Sequence, residues 1–356
     1  KENLSYGALL PTVGFSGSIN RNKVSPDTGA GYSYTGTQLA IQARQGLYRP
    51  DLWTSYSKAQ SLSSVNEANY RQQQQEQILR VSEAYFNVLR AEETLSSAKA
   101  EEAALKRQLE QSQKRFEVGL IAKTDVLEAQ AQLDGSIAAR ISQDVGLASA
   151  LEVLAGIIGN NANTLSKLRA DFVITPPQPN NAEEWVKLAQ DKNPQLAAAR
   201  FNQTAAEQAV KEQQAGYRPT IDAVASISDR DNGTGNAASF NNGRSMSAGI
   251  EMQWPLYTGG RTSSAIKQAS YGRDAAREQV TSVQRQLTTQ TRTAFLNVSA
   301  DSYRVAARQQ AVKSAEAALA ATKAGYDVGT RNIVDVLLAE RNVYAAKRDH
   351  ANSRYD

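Results

Sequence analysis

From Pro11 the chain alternates: Val13, Phe15 and Ile19 fall on one side, Thr12, Ser16, Ser18 and Asn20 on the other. A period of two predicts a strand with one apolar and one polar face. A polar, glycine-rich loop is expected over Arg21–Ser33, with Pro26-Asp27-Thr28-Gly29 as its turn chemistry. Thr37, Leu39, Ile41, Ala43 and Leu47 then alternate with Gln38, Gln42 and Arg44 in a second strand, and Pro50 suits the first turn of a helix. The pattern returns after Pro219. Ile221, Ala223, Ala225 and Ile227 oppose Asp222, Ser226 and Ser228, and a Gly/Asn-rich loop is expected over Asp229–Arg244. Met246, Ala248, Ile250, Met252 and Trp254 then oppose Ser245, Ser247, Glu251 and Gln253. Trp254 and Tyr257, which close this fourth strand, suit either a membrane-interface girdle or the rim of a soluble sandwich core.

The rest is dominated by the helical period. Asp51–Glu117 contains no glycine and no proline, and as one helix would be about 100 Å long at ~1.5 Å per residue. Arg261–Asp327 matches it, interrupted only by Gly272 and Gly325. Their apolar positions are mostly Ala with Leu and Val between, set among Gln, Ser, Glu, Lys and Arg. A thin apolar seam between broad polar faces suits helices that meet neighbours laterally and show another side to water. A shorter helical run covers Asn193–Gln214. Between the arms, Asn160-Asn161, Pro176-Pro177 and Pro179-Asn180-Asn181 mark a loop-rich connector with a small mixed element.

These patterns repeat. Phe116-Glu117-Val118-Gly119-Leu120 and Tyr326-Asp327-Val328-Gly329-Thr330 lie 210 residues apart (326 − 116), and Ala84-Tyr85-Phe86-Asn87-Val88 matches Ala294-Phe295-Leu296-Asn297-Val298 at the same offset. A register held this long is an internal duplication. In each copy the glycine ends a long helical run, where a left-handed residue is needed, so each predicts the tip of a helical hairpin. The copies also predict a chain trimmed at both ends. The second has a helix before its first strand where the first has only Lys1–Leu10, and the first's descending helix runs on towards Leu154 where the second's stops at Asp356.

Composition narrows the function. The 356 residues would allow two or three domains, and the net charge is 40 − 36 = +4 with both signs spread along the helices, which argues against nucleic acid. There is no cysteine, so disulfides and thiolate metal sites are excluded. No signal peptide is visible, which is expected of a mature or trimmed chain. Mean hydropathy is −0.50, and no apolar run is expected to reach the ~18 residues of a spanning helix. The lone histidine, His350, suits packing or the surface, since a metal site needs several convergent ligands. No Ser/His/Asp set, phosphate loop or paired-carboxylate pocket is found, so the chain reads as no enzyme, with no cofactor and no metal.

Two hairpins of two strands give four strands, too few to close a barrel and with an unpaired edge at each end. Several chains pooling their strands into one barrel, and their arms into a helical tube, would resolve both problems. On Leu10-Pro11, Ala84–Leu89, Arg115–Leu120, Pro255–Gly260 and Gly325–Arg331 the chain resembles the TolC family of outer-membrane efflux and secretion channels, nearer its TolC branch than its lipoylated branch. The resemblance covers essentially the whole chain and implies an α+β membrane protein. Its fold would be a trimeric 12-stranded outer-membrane β-barrel, four strands per chain, continuous with a long periplasmic α-helical barrel and a small mixed equatorial element. Residues 11–48 and 219–257 would form the strand hairpins, 49–157, 193–217 and 258–356 the helical hairpins, and 158–192 the connector.

The same resemblance implies a passive exit duct in the outer membrane of a Gram-negative cell, extending into the periplasm. Its partners would be a periplasmic adaptor, an inner-membrane pump or ABC exporter, two further copies of the chain and outer-membrane lipid, with no nucleic acid. Val118, Gly119, Leu120, Val328, Gly329 and Thr330 would be adaptor-binding tips, and Asp125, Tyr326, Arg331 and Arg354 the polar links of a gate. Arg offers a planar fork of donors, and Asp or the Tyr hydroxyl can accept. Asp335 would contribute an entrance ring that favours cations, although Leu338 stands where the family pattern has a second acidic residue. Plain turn residues, helix-end charges and helix-capping Asp remain alternative roles for the same positions. Two other functions stay open: an outer-membrane receptor or adhesin using the strand loops, and a soluble coiled-coil scaffold.

Overall fold

The alternating stretches pair into one antiparallel sheet. In the computed structural model, which describes residues 2–25, 31–160, 165–169, 172, 174–233 and 241–356, β1 (Thr12–Val24), β2 (Tyr32–Tyr48), β3 (Thr220–Asp231) and β4 (Gly243–Gln253) lie in the order β1-β2-β3-β4. Phe15 pairs with Ile41, Ile41 with Ile227 and Ile227 with Met246, so one apolar row crosses all four strands. Phe15 and Met246 are about 71% and 72% exposed in the single chain. An apolar face turned outward is what a barrel strand offers to lipid.

The opposite face is polar. Gly14, Gln42, Ser226 and Ser247 form one row, closed by a 2.8 Å hydrogen bond between the two serine hydroxyls. At the end of β2, Arg44 pairs with Asp222 at 2.8 Å and with Glu251 at 3.0 Å, and Arg49 reaches Asp222 and Asp51. Asp222 is buried between the two guanidinium groups, beside the bulge at Gly46 and Tyr48 where β2 gives way to helix. A Cβ on Gly46 would come 2.8 Å from Arg49 Cγ, so glycine keeps that junction open.

The strands extend further than the predicted loops allowed. Arg21–Val24 and Tyr32–Ser33 are strand, as are Asp229–Asp231 and Gly243–Arg244. Cross-strand pairing there outweighs the weak strand preference of Asn, Lys and Asp. The Pro26–Gly29 turn lies outside the described residues.

The chain divides into two compact units at three points, two inside the long helices at Gln72/Gln73 and Gln286/Leu287 and one at Asp191/Lys192. The first unit holds the sheet, α1 (Glu2–Gly7), α5 (Pro194–Ala215) and the beginnings of α2 (Pro50–Glu117) and α6 (Arg261–Asp327). Asn193 caps α5 by accepting the Leu196 N–H, with Pro194 in its first turn, and Lys58 of α2 meets Glu212 of α5 at 2.5 Å.

The second unit contains the remainder of α2 and α6, with α3 (Lys123–Ile158), α4 (Ala182–Lys192) and α7 (Ile333–Ser353). Gly272 and Gly325 do not interrupt α6, which is continuous through both. Leu105 and Leu109 of α2, Ala129 and Leu133 of α3, and Ile333, Val336 and Leu337 of α7 form one buried cluster. Ala84 and Val88 of α2 with Leu154 of α3 form another. Among the described residues of 158–192 the regular element is α4.

One expectation fails here. The α3 helix contains an 18-residue window of mean hydropathy 1.4, long and apolar enough to pass as a membrane span. Only 6% of that window is buried within the chain. Its run from Val145 to Ile158 carries a single charge, Glu152, a density that the whole-chain average conceals.

Candidate functional site

The two glycine motifs build matching helix ends. At the end of α2, Gly119 adopts φ +75°, its N–H donates to Phe116 O at 2.8 Å, and the Leu120 N–H donates to Arg115 O at 2.9 Å. At the end of α6, Gly329 adopts φ +79°, its N–H donates to Tyr326 O at 3.1 Å, and the Thr330 N–H donates to Gly325 O at 2.8 Å. This double bond pattern around a left-handed glycine satisfies carbonyls that a helix end otherwise leaves open. Val118, Leu120 and Val328 are exposed at these turns, an apolar tip that the chain itself does not cover.

The next helix starts differently in each copy. Ala122 precedes α3 without a side-chain cap, and Asp125 stands in its first turn, donating its N–H to Ala122 O at 3.1 Å. Asn332 occupies the equivalent place before α7 and forms a full capping box. Its side chain accepts the Asp335 N–H at 2.9 Å, and its own N–H donates to Asp335 Oδ2 at 3.4 Å. Arg331 approaches the same carboxylate at 3.8 Å. Asp335 therefore has a local structural role at the helix N-terminus, where a carboxylate is favoured.

The tips converge on one cavity of about 580 Å³, lined by Asp125, Arg115, Tyr326, Asp327, Arg331 and Asn332 among others. Three of the four residues that the family resemblance implies as gate links, Asp125, Tyr326 and Arg331, meet here. Tyr326 packs against the buried Leu105–Leu337 cluster, and its hydroxyl is buried with no partner among the described residues. No direct bond between Asp125 and Arg331 is formed within the chain, although both face the cavity. Arg354 is elsewhere. It caps the far end of α7, about 30 Å from the tip by helix rise, and donates to Arg169 O at 2.8 Å.

Two residues given no role from the sequence complete the site. Arg115 Nη2 meets Asp327 Oδ1 at 2.9 Å, and the guanidinium carbon lies 5.1 Å from the centroid of the Tyr326 ring. Hydrogen bonding to Asp327 raises the Arg115 pKa, with burial opposing and Tyr326 adding to the effect. The signal for the pair was opposite charge in the last turns of two helices, but only the packing of one hairpin on the other brings those turns together.

A family model described as Outer membrane efflux protein matches residues 3–160 and 185–356. Outer membrane protein TolC of Vibrio cholerae is 36% identical over 356 residues, covering 99% of this chain and 80% of that protein. Alkaline protease secretion protein AprF of Pseudomonas aeruginosa is 28% identical, covering 99% of this chain and 75% of its own length. In fold, the outer membrane protein VceC of Vibrio cholerae superposes with a TM-score of 0.85 at 20% identity, over 99% of this chain and 85% of VceC. The four-stranded sheet and long helices are thus one chain's share of an outer-membrane channel. The chain belongs to the outer membrane efflux protein family, the TolC-related exit ducts of the outer membrane.

Proposed function

We propose that three copies of the chain form a passive duct, closed at its helical tips and opened there by a periplasmic adaptor and an inner-membrane pump or ABC exporter. Three sheets would supply the twelve strands of the barrel, with the Phe15–Ile41–Ile227–Met246 row facing lipid and the Gln42–Ser226–Ser247 row facing the lumen. The exposed apolar face of α3 would be covered by neighbouring helices of the tube. The turns at Val118-Gly119-Leu120 and Val328-Gly329-Thr330 are the adaptor's contact points, since glycine leaves backbone accessible and the apolar flanks exclude water on contact.

The carrying observation is the cavity between the tips, where Asp125, Tyr326 and Arg331 converge without forming every bond they could make. Such polar links are individually worth about 0–1 kcal/mol at a wet surface. Repeated by symmetry they hold a gate shut yet let an outside partner open it. Opening moves the α6–α7 hairpin relative to α2–α3. Asp335 would line the entrance as one ring of three carboxylates, favouring cations. Arg354 donates to Arg169 O at the far end of α7, so a gate role for it would require contacts with a neighbouring copy.

Single-channel conductance in a planar bilayer tests this reading, comparing the full chain with its Arg331→Ser variant. A small, cation-selective conductance that grows in the variant supports duct and gate together. Large conductance in both removes Arg331 from the gate, and none from a membrane-inserted trimer overturns the duct.

A further inference from the structure

The cavity at the tips contains a contact that the gate as read from the sequence does not include. We infer that Arg115 is a further positioning residue of the gate: a fixed cation on the α2–α3 hairpin that holds the α6–α7 hairpin shut through Asp327 and the Tyr326 ring. The inference rests on the gating reading above and extends it to a residue on the opposite hairpin.

Three features of the site make a cation there more than a surface charge. Arg115 lies in the last turn of α2, and Asp327 is the last residue of α6, so two helix C-termini and a carboxylate meet at one point. Each helix end carries a partial negative charge, and Asp327 stands at the end of its helix where a carboxylate is least favoured. The Arg115 guanidinium offsets all three. Its planar fork does this in two ways at once, donating to Asp327 at 2.9 Å and lying over the Tyr326 ring at 5.1 Å.

The duplication shows that the contact runs one way only. The position equivalent to Arg115 in the second copy is Gly325 (115 + 210), and a Cβ there would come 2.8 Å from Arg331 Cγ. The position equivalent to Arg331 in the first copy is Ile121 (331 − 210). Each tip therefore carries one arginine, in different places. Arg331, in the turn before α7, stays within its own hairpin near Asp335, at 3.8 Å, whereas Arg115 crosses to the other hairpin. A motion that separates the hairpins must break the Arg115–Asp327 bond and lift the guanidinium from Tyr326.

Asp327 is mostly exposed, so salt should screen the bond and weaken the strap without abolishing it. Arg331 lies in the turn before α7 and has its partner in that helix's first turn, so its contribution should respond differently.

The experiment records open fraction and conductance of the full-length trimer in planar bilayers for wild type, Arg115→Met, Asp327→Asn, the exchange Arg115→Asp with Asp327→Arg, and Arg331→Ser as reference. Expected are a several-fold rise in open fraction for each single change, loss of much of the rise that salt produces in wild type, and return towards wild type in the exchange. Asp327→Asn keeps the side-chain size, so it carries the test if Arg115→Met assembles poorly. Wild-type behaviour in both single variants, with Arg331→Ser open, overturns the strap and leaves the gate standing. Opening in the singles without recovery in the exchange also overturns it, because the charge pair is then not the cause. If Arg331→Ser fails to open as well, the gating reading itself falls.

Discussion

Lys323 Nζ lies 2.5 Å from Glu340 Oε1, and this bond ties the last turns of α6 to α7 through a carboxylate that is about 5% exposed. The lysine is half in water, whereas Glu340 Oε2 has no partner among the described residues. The two ends of the pair are therefore unequal. Removing Lys323 strands a buried charge; removing Glu340 releases a cation that can turn to solvent.

Lys323→Met is accordingly expected to destabilise the fold by about 3 kcal/mol, and Glu340→Met to cost little or nothing. Thermal loss of helical circular dichroism in detergent checks the order of the two variants. Equal losses would show that the pair is worth the same from either end and that burial of Glu340 is not the cause.

Glycine demands at the second tip differ in kind. Gly329→Ala places a side chain at φ +79° in open space and should cost about 1 kcal/mol through backbone strain alone. Gly325→Ala has no such backbone penalty, but its Cβ would come 2.8 Å from Arg331 Cγ and must displace that side chain. Gly325→Ala should therefore raise conductance with little loss of stability, and Gly329→Ala should do the reverse. Bilayer recordings paired with thermal melts separate them.

Asp335 is asked to serve two roles, and one substitution divides them. Asp335→Asn keeps an oxygen that can accept the Asn332 N–H but removes the charge, so stability should change by less than about 1 kcal/mol. If the carboxylate also sets entrance selectivity, reversal-potential measurements should show weaker cation preference. Asn332→Ala removes the cap instead and should cost about 1 kcal/mol without altering selectivity.

Acid should loosen the far end of α7 in two stages. Burial, aided by the Arg354 charge, holds the His350 pKa below its ordinary 6.5. A depressed pKa means that the folded state favours neutral imidazole, so stability is present above about pH 6.5 and is lost as pH falls through the folded value. Burial alone would raise the Asp349 pKa, but hydrogen bonds from Arg348 and Arg308 outweigh it and lower it below 3.8. That stabilisation is full above pH 3.8 and disappears only at lower pH. Melting temperature against pH should lose its first step in His350→Gln and its second in Asp349→Asn, with Arg308→Met reducing the second step because Arg348 still donates to the carboxylate.

Much of this was legible in the residues because it depends on near neighbours. Val13, Phe15 and Ile19 against Ser16, Ser18 and Asn20 report a two-faced strand whatever the fold, and Gly119 and Gly329 report helix ends because few other residues tolerate φ near +75°. The equal spacing of the copies carried the hairpins, whereas Asp125, Tyr326 and Arg331 were singled out by the family resemblance. Loop limits were less legible. Arg21–Val24 and Asp229–Asp231 look polar enough for loops, and become strand only because a neighbouring strand supplies their hydrogen bonds.

Backbone preference, side-chain period and the 210-residue repeat thus set the elements and their order, because each acts over a few residues or between copies of one pattern. They could not specify that β2 lies beside β3, that Arg115 meets Asp327 rather than Glu117, or that Arg354 reaches Arg169 at the opposite end of α7 from the tip. Those contacts join residues tens to hundreds apart in the chain, with no periodic signal linking partner to partner. Their free energy comes from burial and charge that exist only once the helices and strands have packed.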